Sequence, residues 1–350
     1  MKIGLLIYGS IDTLSGGYMY DRMLVEYLRA QGDAVEIISL PWRNYGAHLR
    51  DNFTFKLPAN LDILIQDELN HPSLIGANQG KHPYPIISLV HHLRCSELRP
   101  KWQNDIYRIV EKKYLRSVDG FIFNSQTTKG VVNTLVGNSK PNVVAYPPTD
   151  RFGDAISEDG IEERSKKKEL RILFLGNVMG RKGLHTLLQA LLIPHNSSFI
   201  LDVIGSLTSE PEYAKQMQEF IIKNDLSSFV FLHGSLNNTP LIEKLKQAHV
   251  LVVPSSYEGF GIVYLEGMGF GLPAIGTTAG AAGEVIRDGV DGFLIQPGDA
   301  SSLASKLQLM NERRDLLLQM SLAARTRYLA QPRWEQTANQ IREFLRSFLG

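Results

Sequence analysis

A strand–helix alternation that runs once, stops at a polar stretch and then runs again constrains this chain more than any other feature. Apolar runs at 2–8, 34–40, 61–65, 85–90, 120–123 and 143–146 read as strands. Between the first two, the pattern over 18–30 places Met23, Leu24, Tyr27 and Leu28 on one helical side. Strand, helix and strand in direct succession imply a parallel sheet with helices on its faces. Pro147-Pro148 forces an extended exit. The polar, mixed-charge segment 151–169 then reads as a linker or mobile loop. Strand patterns return at 172–176, 199–204, 229–233, 250–253, 273–276 and 292–294, with helical runs at 184–192, 212–224 and 240–247 between the first four. The expected architecture is α/β: two Rossmann-like domains, residues 1–150 and 170–333, with parallel sheets facing across a deep cleft. In open parallel sheets the ligand lies outside the carboxyl ends of the strands, so the loops there are the places to search.

Composition narrows the classes. A chain of 350 residues suits two domains, and 43% hydrophobic with 21% charged residues is globular. A net charge of +1 argues against a nucleic-acid binder. The single cysteine, Cys95, excludes an internal disulfide framework and fits a reducing compartment. The opening apolar run is too short for an ordinary signal peptide, and no stretch is long enough to span a bilayer. A cytoplasmic location is expected, with room for peripheral contact at the inner face of a membrane.

Several loops could carry chemistry. Loop 9–17, GSIDTLSGG, lacks G-x-G-x-x-G, and the next strand ends Ile38-Ser39-Leu40 without an acid, so a dinucleotide fingerprint is missing. Gly16 and Gly17 either bring backbone close to a phosphate or sugar or simply tighten a turn. In LGNVMGRKG, Arg181 and Lys182 stand after a strand at a helix start, where cations and free amides could meet one diphosphate; the plain alternative is a solvated pair. In PSSYEGFGIVYLEGMGFG, Glu258 and Glu266 are eight positions apart. Glu266 lies within an otherwise apolar helix over about 261–270, and Glu258 just ahead of it, where amide groups point outward. An ordinary strand–loop–helix with a salt-bridged carboxylate is the alternative. His91 and His92 follow strand 85–90, where a ring could hydrogen-bond a sugar hydroxyl or a reacting oxygen, or be structural. With Cys95 they form no metal-ligand spacing, and no D-x-D motif is present, so no metal is expected. Ser125 lacks a surrounding G-x-S-x-G and there is no Walker A sequence, which disfavours hydrolases and NTPases.

On these residues the chain resembles GT-B-fold retaining glycosyltransferases of family 4, also called glycosyltransferase group 1. The likeness is strongest over 172–299, and its most specific mark is the E-x7-E element at Glu258 and Glu266. The resemblance implies that Glu258 contacts donor-sugar hydroxyls and Glu266 the nucleotide ribose, while the amides around Gly259, Phe260, Gly261 and Ile262 approach sugar and diphosphate. TAGAAGEVIRDGVDGFLIQPGD resembles the downstream family block, with Gly280 and Ala281 at its paired-glycine positions and Glu284 at its glutamate. Gly16-Gly17 matches the glycine pair beside the donor phosphates, and His91 the histidine near the transferred sugar. One departure stands out: Lys182 is in place, but Asn177 occupies the position of the family's diphosphate-binding arginine. Either Arg181 supplies the missing charge or binding rests on Lys182 and backbone donors.

The implied reaction moves a hexosyl group from a UDP- or GDP-linked sugar to an acceptor hydroxyl with retention, by front-face attack in which the departing phosphate takes the acceptor proton. The implied catalytic set is His91, Lys182 and Glu258; no cofactor is needed, the nucleotide-diphosphate sugar being the donor substrate. Residues 334–350 form an amphipathic helix, which in this fold crosses back to the first domain. The helix after His91 combines Lys101, Arg108, Lys112, Lys113 and Arg116 with Trp102, Ile106 and Tyr107, which suits an anionic membrane, a charged acceptor or plain solvent. The rival readings are a sugar-nucleotide epimerase of related shape and a non-enzymatic two-lobed sugar-binding protein.

Overall fold

Apolar runs bounded by turn residues become the strands of two parallel sheets in the computed structural model, which describes residues 1–13, 15–80, 82–148, 150–193 and 199–350. The chain divides into two units, Met1–Pro148 with Pro332–Gly350, and Thr149–Gln331.

Among the described residues the first unit holds six strands: β1 (Lys2–Tyr8), β2 (Ala34–Leu40), β3 (Ile63–Asp67), β4 (Ile86–Val90), β5 (Gly120–Phe123) and β6 (Asn142–Val144). Their order is β2-β1-β3-β4-β5-β6, all parallel, with Lys2 opposite Ala34 and Ile3 opposite Ile63. The period-2 pleat of β1 sends Ile3, Leu5 and Ile7 to one apolar cluster and Leu6 and Tyr8 to another. The first cluster is completed by Leu24 and Leu28 of helix Gly16–Ala30 and by Trp334, Ile341 and Leu345 of helix Trp334–Arg346. The chain passes from β1 to β2 on one side and resumes with β3 on the other, so the switch point lies between β1 and β3. Gly16 and Gly17 are not loop: they open the helix, which Ser15 caps by accepting from the Tyr18 amide. Leu14 of that loop lies outside the described residues.

The second unit repeats the plan with β7 (Leu170–Leu175), β8 (Phe199–Ile204), β9 (Val230–Gly234), β10 (Val250–Val252), β11 (Ala274–Thr277) and β12 (Gly292–Ile295). Their order is β12-β11-β10-β7-β8-β9, all parallel, which places the switch point between β7 and β10.

The expectation of a linker or mobile loop over 151–169 is corrected. Glu158–Ser165 is a helix, capped by Ser157 accepting from the Gly160 amide. Its one large apolar residue, Ile161, is buried against Gly271. Arg164 is buried too and donates to the carbonyls of Phe270 and Gly271, both at 2.8 Å. Those carbonyls end helix Ile262–Gly269 and have no partner within it, so a guanidinium satisfies them. Low hydropathy disguised a helix whose buried residues are one isoleucine and one capping arginine. Among the described residues, no helix is long and apolar enough to cross a membrane.

Candidate functional site

The switch point of the second unit brings the loop after β7 against the turn after β10. Gly183 ends a short turn, Gly180–Lys182, with φ of 74°, and a Cβ there would lie 2.1 Å from the Pro254 carbonyl oxygen. Only glycine permits both the left-handed backbone and this approach. The result joins residues far apart in sequence. Lys182 Nζ donates to Glu258 Oε1 at 2.5 Å, and Ser255 Oγ donates to the same oxygen at 2.6 Å. Arg181 donates to the Tyr257 carbonyl at 2.8 Å, with its guanidinium 4.0 Å from Glu258 Oε2. Gly280 locks Glu258 from the other side: with φ of 80° it packs where a Cβ would lie 2.1 Å from the Glu258 carbonyl oxygen, and the Ala281 amide donates to that oxygen at 2.8 Å.

Electrostatics follow from this packing. Burial would lift the Glu258 carboxyl, but the charges of Lys182 and Arg181 and the bonds from Lys182 and Ser255 outweigh it and hold the pKa at about 2. Burial, reinforced by Arg181, pulls the Lys182 ammonium below its ordinary range despite Glu258. The cluster therefore holds a permanent carboxylate with two cations beside it.

The other residues singled out in this unit divide. Gly261 precedes helix Ile262–Gly269 at φ of 93°, while the Phe260 side chain is buried, so Phe260 offers a site only its backbone. Gly259 and Ile262 are half-buried next to it. Asn177 Oδ1 accepts from the Ser206 amide at 3.3 Å, tying together the ends of β7 and β8. Glu266 is buried in its helix and paired with a different group, Arg151, whose NH1 donates to Oε1 at 2.7 Å. The Arg151 guanidinium also lies 4.6 Å from the centre of the Phe152 ring.

The first unit gathers its own candidates at its own switch point. Gly17 sits against His91, close enough that a Cβ would be 3.3 Å from the ring. Gly16, the residue before it, is the first of the same helix. His91 Nε2 meets Asp21 Oδ1 at 3.0 Å, and the Tyr20 ring packs edge-on at 5.4 Å. Asp21 is fully buried, and its other oxygen has no hydrogen-bond partner among the described residues. Burial disfavours charge on His91, yet the Asp21 contact and the nearby Asp67 and Glu68 outweigh it and raise the imidazole to about 9. Asp67, at the end of β3, is itself lifted to about 7 by burial and by Asp21. His91 is thus an imidazolium at neutral pH and can donate but not accept.

Among the described residues, two sets of potential ligand atoms converge in this unit, Asp21–Asp67–His91 and Glu68–His71–Glu111. Internal contacts already engage part of each. His91 faces Asp21; His71 bonds the Glu68 carbonyl and the Tyr45 hydroxyl, each at 3.0 Å; Glu111 accepts from the amides of Arg94 and Cys95.

Sequence reasoning missed Asp21, Asp67, Arg151 and Ser255. Asp21 had a readable signal, since Gly17, Asp21, Leu24 and Leu28 share one helical face and an acid amid buried positions needs a partner. Arg151 had none, because its partner is 115 residues away.

Comparison with known proteins agrees with this architecture. Sucrose-phosphate synthase from Thermosynechococcus elongatus superposes with a TM-score of 0.82 over 99% of this chain and 98% of its own, at 20% identity. Anabaena HepE, solved in complex with UDP-glucose, gives 0.78 over 99% and 100% at 18% identity. The chain has the GT-B fold. Residues 156–327 match the model for glycosyl transferases group 1, so the second unit is a group 1 glycosyl transferase domain. An uncharacterized 41.2 kDa protein of the Klebsiella pneumoniae cps region is 27% identical over 64% of this chain and 61% of its own length. An uncharacterized glycosyltransferase of Methanocaldococcus jannaschii is 33% identical over 40% of this chain and 38% of its own. The alignments therefore span less than two thirds of either relative.

Proposed function

We propose that this chain is a retaining glycosyltransferase, moving a hexosyl group from a UDP- or GDP-linked sugar to a hydroxyl of a glycan, lipid or small molecule without a metal ion. The observation that carries the reading is the Lys182–Glu258–Ser255 cluster, with Arg181 beside it, at the switch point between β7 and β10. Two cations against one carboxylate leave a surplus positive charge where a nucleotide diphosphate would lie in a Rossmann-like unit. Glu258, held as a carboxylate with a pKa of about 2, accepts hydrogen bonds from sugar hydroxyls. Lys182 exchanges its bond to Glu258 for one to a phosphate oxygen, as charge develops on the leaving group.

In the reaction the bond from the anomeric carbon to phosphate oxygen breaks, and a bond from the acceptor oxygen to that carbon forms on the same face. The acceptor proton passes to the departing phosphate. His91, an imidazolium with a pKa of about 9, donates a hydrogen bond and is not the base. A front-face reaction of this kind requires no protein base. The Glu266 carboxylate, held at one oxygen by Arg151, offers the other to the ribose. The group 1 match supports this class, and the UDP-glucose complex of HepE makes a UDP-sugar the first donor to try.

The test is a titration against UDP-, GDP-, ADP- and dTDP-sugars, followed by product detection by mass and assignment of anomeric configuration by NMR. One nucleotide sugar is expected to bind, and its nucleoside diphosphate to be released only with acceptor present. Indifference to every nucleotide sugar defeats the proposal; an epimerised donor without transfer replaces it with an epimerase, and binding of free sugar alone with a carrier protein.

A further inference from the structure

We infer that the outer face of helix Lys101–Arg116 docks on the surface of an anionic lipid bilayer. The sequence pattern named Trp102, Ile106 and Tyr107 as the apolar members of this helix, and the structure changes that set. Tyr107 packs inward, its ring 4.8 Å from Tyr45 and 4.7 Å from the Arg94 guanidinium. Ile109 points out instead. Glu111, Tyr114 and Leu115 form the buried side. Opposite them, at spacings of four and three residues, Trp102, Ile106 and Ile109 stand 63%, 49% and 60% exposed. Leu98, just before the helix, is 69% exposed. Lys113 and Arg116, both exposed, continue the same line into the last turns.

Single exposed apolar residues need no explanation, but an aligned tryptophan and two isoleucines running into a cationic end do. Charge complementarity selects the occupant. The helix carries five cations and two acids, one of which, Glu111, is buried, in a chain whose net charge is only +1. The helix itself therefore places a surplus of positive charge beside the apolar line. A tryptophan with aliphatic neighbours enters the headgroup boundary, while lysine and arginine meet anionic headgroups. A second copy of the chain would place like charges together along the same line. The inference does not depend on the donor chemistry.

Cosedimentation with vesicles tests it, using phosphatidylcholine alone and phosphatidylcholine mixed with phosphatidylglycerol. The wild-type chain is expected to bind the anionic vesicles about tenfold more tightly, and salt should weaken that binding. W102S/I109S should lower anionic-vesicle binding about tenfold, and K113E/R116E by a similar factor, with the far-ultraviolet circular dichroism of both unchanged. Of the three tryptophans, Trp102 should account for the blue shift in fluorescence on binding, so that W102F abolishes it. Equal affinity for both vesicle types, no binding to either, or wild-type binding by W102S/I109S overturns the inference. So does a concentration-dependent dimer that W102S/I109S dissolves, which would make a second copy the occupant.

Discussion

Between β1 and β3 the first unit gathers Asp21, Asp67 and His91, whereas between β7 and β10 the second gathers Lys182, Arg181 and Glu258. The backbone solution is the same in both: a parallel sheet, a reversal of strand order and a glycine that lets two segments approach. The charge is opposite. In the second unit cations outnumber the carboxylate and keep it ionised. In the first, buried carboxylates outnumber the imidazole and keep it protonated. One topology can therefore present either a place for an anion or a fixed proton donor, and side chains at the strand ends decide which.

The sharpest way to break this contrast is at Lys182. K182A is expected to lower kcat about 100- to 1000-fold, the range for losing a preorganised charge at a developing oxyanion. It should also destabilise the second unit by about 3 kcal/mol, because Glu258 is left buried without its closest partner. K182M/E258Q, which removes both charges, should recover most of that stability and none of the turnover. Recovery of both would make the pair structural. R181A should cost about tenfold, since its guanidinium stands farther from Glu258 and is partly held by the Tyr257 carbonyl. Wild-type turnover in R181A would mean that Arg181 does not supply the charge missing at Asn177.

Why these groups were readable and others were not follows from the range of their contacts. The strands, the β7 and β10 loops, Lys182 and Glu258 were legible because each signal is local: a period of two, a glycine beside a cation, an acid ahead of an apolar helix. That Lys182 and Glu258 meet follows from strand order, which the sequence does not display. Helix Glu158–Ser165 was hidden because Arg164, one of its two buried residues, binds carbonyls more than 100 residues away. That the Asn177 side chain also ties down the end of β8 was not legible, because the Ser206 amide it meets lies 29 residues away. His91 was visible as a ring at a strand end, but its charge state rests on Asp21, 70 residues earlier.

That charge state gives an intermediate effect, read as a shift in pH dependence. The folded pKa of His91 is raised, so the stability it contributes is full below its ordinary value near 6.5 and is lost as pH rises through about 9. The same titration removes the donor, and the alkaline limb of kcat/KM should fall near pH 9. D21N removes the carboxylate that contributes most to the shift while an amide oxygen can still face the ring. It should move that limb down by about one to two units and lower activity about tenfold at pH 8.5. Asp67 and Glu68 also face His91, and they keep part of the shift in D21N. An unmoved alkaline limb in D21N would remove His91 from the site.

The smallest expected effect is at Arg151, and it asks whether the second unit has one polar centre or two. Arg151 holds Glu266 Oε1 at 2.7 Å and lies over Phe152, so it restrains the carboxylate, whose Oε2 is the atom proposed to meet a ribose hydroxyl. R151Q leaves the carboxylate buried but free to turn, which weakens ground state and transition state alike. The expected result is a three- to fivefold rise in KM for the nucleotide sugar, kcat within about twofold of wild type, and partial rescue by R151K. With Glu266 meeting the ribose as proposed, wild-type discrimination against the 2′-deoxy and 3′-deoxy nucleotides should shrink in R151Q. A fall in KM would reverse the assignment: Arg151 would then compete with the ribose for Glu266, and the contact would be one that donor binding must break. An equal drop in kcat and kcat/KM would instead couple Glu266 to the Lys182 cluster during the reaction, and the second unit would act as a single centre.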